Sequence, residues 1–123
     1  EGDNEVTPRL YTSCLNRISR TSSHYSNLGA VVAATASGHF RVSLPHSYFL
    51  VPGYGTQGGT AEDVVKHFRR DGSGALITAS RSVIYADENV EKRYLAAREV
   101  MKKMLVDVKT AMKEGGKFPK GWS

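Results

Sequence analysis

Between Phe49 and Phe68 the chain reads FLVPGYGTQGGTAEDVVKHF, with four glycines in the seven positions from Gly53 to Gly59. Glycine has no Cβ to hold an anion away from the backbone, and it reaches the positive φ angles that turn several N–H groups toward one point. Such a loop can wrap a phosphate. The Gln57 amide both donates and accepts, so it can hold a polar ligand edge while the backbone holds the anion. Arg81 follows the apolar segment ALITA by two residues. At the end of a strand it would offer a planar, permanently charged fork to the same phosphate. The bland alternative is a tight turn beside a surface ion pair. Two such features at the ends of consecutive strands favour the anion site.

These residues need elements to place them. LGAVVAAT (28–35), SYFLVP (47–52) and GALITAS (74–80) are short apolar runs of the kind that form buried strands. TAEDVVKHF (60–68) has Ala61, Val64, Val65 and Phe68 at helical spacing, and Thr60 with Asp63 approximates a capping box. TPRLYTSCLNRISR (7–20) reads as a helix with Thr7 as N-cap and Pro8 at its first position. The order is α, β, a short connection, β, α, β, α, which implies parallel strands with right-handed crossovers. Three strands apolar on both faces cannot close a domain with these helices alone. The glycine spacing is not that of a dinucleotide fingerprint, and the acidic partner about 20 residues on is missing. A (β/α)8 barrel fits better, because its phosphate sites are built from the loops after strands seven and eight.

The chain has 123 residues and a net charge of +5. The excess of basic residues falls in HFRR and in KRYLAAREVMKKMLVDVKTAMKEGGK. In the latter, Tyr94, Ala97, Met101, Met104, Leu105, Val108 and Met112 form one stripe, leaving Lys102, Lys103, Lys109 and Lys113 on other faces. That is a solvated helix with a core stripe of methionine filler, not a nucleic-acid surface. No run is long and apolar enough for a membrane span, and the start EGDNEVTPRL has neither region of a signal peptide. The lone Cys14 forms no internal disulfide and lacks the company of a zinc site. A reducing, cytoplasmic setting is expected, with no metal and no cofactor. Opening on Glu1 fits a processed or excised segment. The histidines His24, His39, His46 and His67 lack ligand spacing and are expected at the surface. The tail GGKFPKGWS (115–123) is expected to be flexible.

FLVPGYGTQGGTAEDV followed by GSGALITASRSVIYA closely resembles the C-terminal part of the orotidine 5'-phosphate decarboxylases of the longer bacterial type, and YSNLGAVVAAT resembles an earlier strand of that family. The likeness runs from Tyr25 to Ala86, with a compatible last helix, and the PGYGxQGG and SR motifs are specific. It implies a partial TIM barrel, strands six to eight, over residues 1–123. The implied reaction removes carbon dioxide from orotidine monophosphate to give UMP. The implied binding residues are Pro52 against the base, Gly53, Gly55, Gln57 and Gly58 in the loop, and Ser80 with Arg81 at the phosphate. The family's D-x-K-x-x-D machinery is absent here, so no residue of this chain is assigned a catalytic role. The resemblance therefore implies a missing N-terminal barrel segment, which a second chain could supply, and a homodimer in the complete enzyme.

Three departures stand out: Ala33 where the family has glycine, Thr78 where it has asparagine, and a short ASGHFRVSLPH segment in place of a full helix. TSCLN (12–16) is similar to a strand-five motif by chance, being too close to the next strand. Another phosphate-binding barrel enzyme and a non-catalytic module with a basic helical face are the alternative functions.

Overall fold

Thr60 begins the best-defined local structure. Its hydroxyl accepts the Asp63 N–H (3.2 Å), while the Asp63 carboxylate accepts the Thr60 N–H (3.1 Å). This is the expected capping box, and Lys66 on Asp63 (2.7 Å), with the Thr60 bonds, holds that carboxyl down at about 2. The computed structural model describes Ser13, Cys14, Arg17 and residues 29–55 and 57–122. Ser13, Cys14 and Arg17 are helical. The rest of the helix expected over 7–20, and His24, lie outside the described residues.

The elements are β1 (Ala30–Val31), α1 (His39–Ser43), β2 (Phe49–Pro52), α2 (Ala61–Val65), β3 (Ala75–Thr78), α3 (Ser80–Ile84) and α4 (Val90–Glu114). The strands form one parallel sheet in the order β1-β2-β3. Beyond β1 the backbone continues to donate to β2, from Val32 to Leu50 O (2.9 Å) and from Ala34 to Pro52 O (2.8 Å). Phe49 and Val51 point to one face and are buried with Val64, Val65 and Phe68 from α2 and its end, and with Val108, Ala111 and Met112 of α4. On the other face Val31, Leu50 and Leu76 stand in register as one apolar row. They are 71%, 41% and 64% exposed. The apolar-on-both-faces pattern is thus real, and only one face is covered among the described residues.

Helix α2 is shorter than its apolar spacing suggests, ending at Val65, and its last carbonyls are taken by two cations. Helix α4 closes with Gly116 at φ 64, its N–H bonded to Lys113 O (3.2 Å) and the Lys117 N–H to Met112 O (2.8 Å). That Schellman turn brings Lys117 back to donate to Val65 O (2.8 Å) and Phe68 O (2.9 Å). Arg41, from the shortened segment, donates to the carbonyls of His67 (2.8 Å), Ser47 (2.8 Å), Gly74 (2.8 Å) and Leu44 (3.0 Å), and lies 3.8 Å over the Phe49 ring. Burial, and then the charge of Arg69, pulls its pKa down to about 10. It remains a cation at neutral pH.

Two expectations are corrected. His67 is not at the surface but fully buried, edge-on to Phe49 at 6.3 Å between ring centroids. The stripe on α4 is core only at its C-terminal end, for Tyr94, Met101 and Leu105 are exposed. The buried positions of α4 are Val108, Ala111 and Met112, which share the core cluster with Val64 and Val65 of α2. Lys102 and Lys103 do lie on the solvated face, paired with Glu99 (2.8 Å) and Asp107 (2.7 Å).

Candidate functional site

Side chains alternate along a strand, so Pro52 shares the face of Leu50, and Thr78 that of Leu76. Pro52 and Thr78 are partners in register at the C-terminal ends of β2 and β3. Just beyond them the two strands diverge into the glycine loop and into α3. Between these lies a cleft of about 210 Å³, whose lining includes Pro52, Gly53, Gln57, Ser80 and Arg81. Tyr54, Thr78 and Ala79 complete its wall. Five of the seven residues singled out in the sequence therefore meet at one place.

Gly55 and Gly58 do not line it. Their N–H groups are used within the loop, Gly55 donating to Gly59 O (2.9 Å) and Gly58 to Gly55 O (2.8 Å). Gly59 donates to Gly53 O (3.0 Å). The glycines act here mainly through shape: Gly53, Gly55 and Gly58 have φ of 101°, 79° and 87°. Gly59 is required for space, since a Cβ there would lie 2.6 Å from Ala34 Cβ and 2.7 Å from Gly53 O. Gln57 folds over the turn, with Oε1 3.3 Å from where a Gly53 Cβ would stand.

Tyr54 is a site residue that the sequence reading passed over. Its hydroxyl donates to Asp107 Oδ2 on α4 (3.3 Å), and Lys103 donates to the same oxygen (2.7 Å). Burial and then the Asp107 charge push the phenol pKa up, while the Lys103 bond holds the Asp107 carboxyl down. A lone aromatic between two glycines was the signal available.

Among the described residues the cleft is lined by a guanidinium, an amide, two aliphatic hydroxyls and Tyr54, and by neither a carboxylate nor an amine. Its guanidinium and amide are of the kind that bind and orient an anion. Among the described residues no three His, Cys, Asp or Glu side chains converge as metal ligands do. None of the described helices is long and apolar enough to cross a membrane.

No family model matches the chain. An orotidine 5'-phosphate decarboxylase from Clostridium botulinum is 36% identical to it over 89 residues, which are 72% of this chain and 31% of that protein. Over those residues the chain is similar to part of that enzyme. Among solved structures it resembles Leishmania donovani UMP synthase at 32% identity and a TM-score of 0.60, over 80% of this chain and 22% of that one. It also resembles Leishmania donovani OMP decarboxylase at 27% identity and a TM-score of 0.56, over 80% of this chain and 38% of that one. The three parallel strands and their helices thus match a segment of the TIM barrel that these solved structures share. The chain spans 31% of the length of the curated Clostridium relative.

Proposed function

We propose that this chain is the C-terminal portion of an orotidine 5'-phosphate decarboxylase, contributing strands six to eight of the barrel and the phosphate-binding part of its nucleotide site. The observation that carries this reading is the meeting of Gln57 and Arg81 on one cleft at the C-terminal ends of adjacent parallel strands. That end is where barrel enzymes bind their substrates. Arg81 and its backbone N–H grip the phosphate, Gln57 spans from the phosphate to the pyrimidine, and Pro52 lies against the base. Ser80 adds a hydroxyl beside Arg81.

Orotidine monophosphate loses its carboxyl group far from its phosphate, so grip and chemistry are separate tasks. Remote binding energy can still hold the reacting group in place. The reacting groups come from the N-terminal part of the barrel, on a separate chain or on a longer form of this one. The complete enzyme is a cytoplasmic homodimer, in keeping with the single cysteine of the sequence. The resemblance calls for no metal or organic cofactor.

Two measurements test this. Carbon dioxide release from orotidine monophosphate should be absent with the 123-residue chain and present in the complete barrel. Activity of the chain alone would reassign the chemistry, and none after verified assembly would leave a barrel that only binds phosphate. In the complete barrel Arg81→Ala should weaken UMP binding by about 2 to 4 kcal/mol and leave uridine nearly unchanged. Gln57→Ala should raise KM and lower kcat. Equal losses for UMP and uridine in Arg81→Ala would make Arg81 a structural residue.

A further inference from the structure

The two walls of the cleft are set against the same helix. Helix α3, which carries Ser80 and Arg81, packs on α4. The opposite wall is the glycine loop, and it reaches α4 through Tyr54, whose hydroxyl is bonded to Asp107. Tyr54 has glycines of positive φ on both sides and is bridged to Gly59 across the turn. Backbone with that much freedom needs an outside reference to hold one position. Tyr54 supplies it while also facing a second, larger cleft of about 590 Å³ that runs between the loop, α2 and α4. Lys103, one turn earlier on α4, donates to the same Asp107 oxygen.

We propose that Tyr54 is a positioning residue for the phosphate cleft: through Asp107 it fixes the glycine loop, and with it Gln57, at the distance from Arg81 at which both reach one phosphate. The inference rests on the phosphate reading above.

The test uses the complete barrel protein, with UMP and uridine as probes. Tyr54→Phe keeps the ring and removes only the hydroxyl. It should weaken UMP binding about fivefold, the effect of losing one hydrogen bond, and uridine binding clearly less, since uridine keeps only the pyrimidine end of Gln57. Asp107→Leu should do the same, Asp107→Asn should restore part of the loss, and the double variant Tyr54→Phe/Asp107→Leu should be no worse than either single change. Arg81→Ala is measured beside them. If Arg81→Ala loses UMP selectively and Tyr54→Phe does not, the positioning role is overturned while the phosphate site stands. Equal weakening of UMP and uridine by Tyr54→Phe would show a merely structural role and also overturns it. If Arg81→Ala spares UMP, the phosphate site falls and the inference falls with it.

Discussion

His67 Nε2 lies 3.2 Å from the carbonyl oxygen of Ala34, which joins the end of α2 to the chain that follows β1. The ring is fully buried, and Nδ1 has no partner. For Nε2 to donate it must carry a proton, which in the neutral ring leaves Nδ1 a buried acceptor and in the charged ring would leave Nδ1–H a buried donor with no acceptor. Burial, and to a lesser extent Arg41, lowers the pKa from 6.5, against the opposing pull of the Ala34 carbonyl.

Stability should therefore fall as pH drops below about 6.5, because the unfolded chain takes up a proton that folded His67 refuses. The loss levels off once the folded imidazole also protonates. Asp63 adds a second loss in the same direction, as pH falls from 3.8 through about 2. Urea unfolding of the complete barrel between pH 5 and 8 should show the upper limb, and His67→Gln, neutral throughout, should flatten it. An unchanged slope in His67→Gln would assign the limb to another group.

Arg41 should be among the least replaceable residues. Removing it strips donors from the carbonyls of Leu44, Ser47, His67 and Gly74 at once. Arg41→Met should cost about 1 to 3 kcal/mol in urea unfolding, the cost of leaving the His67 carbonyl without its donor, since Gly74, Leu44 and Ser47 keep second donors in Phe49 N–H (2.9 Å), Ser47 N–H (3.4 Å) and Arg69 (3.4 Å). Arg41→Lys should recover little, because an ammonium cannot reproduce the planar fork. A loss below about 1 kcal/mol for Arg41→Met would mean that water replaces the guanidinium.

Adjacent glycines of the loop should respond differently to a methyl group. Gly59→Ala meets Ala34 and the Gly53 carbonyl and should cost about 1 to 3 kcal/mol of stability by overpacking. Ala34→Gly should relieve part of this, the Gly53 clash remaining. A Cβ at Gly58 points into open space, so only its φ of 87° is strained. Gly58→Asn, which tolerates that conformation, should be nearly neutral. Thermal unfolding of the complete barrel separates the two cases, and a neutral Gly59→Ala would show that the loop has room to shift.

The chain by itself should associate in solution. β1 and β3 each present an unpaired edge within the described sheet, and the row Val31–Leu50–Leu76 is open beside them. Light scattering should show aggregation of the purified chain, reduced by Leu76→Lys, while the same substitution should destabilise the complete barrel. Sharp, cooperative unfolding of a pure monomer of this chain would count against the partial-barrel reading.

What the sequence disclosed was what is local. The capping box at Thr60 and Asp63, the three apolar strands and the glycine loop all depend on neighbours within a few residues, and each is present. Pro52, Gly53, Gln57, Ser80 and Arg81 could be tied to one cleft because parallel strands bring successive C-terminal ends together. The burial of Arg41 and His67 could not be read the same way. Their distant partners, at separations of 26 to 33 residues, are set by packing, and both residue types are usual on surfaces. The Tyr54 to Asp107 bond spans 53 residues and was hidden for the same reason. On α4 the helical period identified the apolar stripe but not how far along it a neighbour reaches.

Pro52 and Thr78 stand two residues beyond Leu50 and Leu76, on the same face. The cleft and the apolar row therefore share a ruler whose unit is two residues. A change of length in the glycine loop would move one wall of the cleft and leave the apolar row in place, but β2 cannot gain or lose a single residue between Leu50 and Pro52. Such a change would turn Pro52 toward α2 and carry the loop half a pleat out of phase with α3. Change in this part of the barrel is thus confined to even steps in the strands and free steps in the turns, so ligand preference can drift through the loop while the strand frame stays fixed.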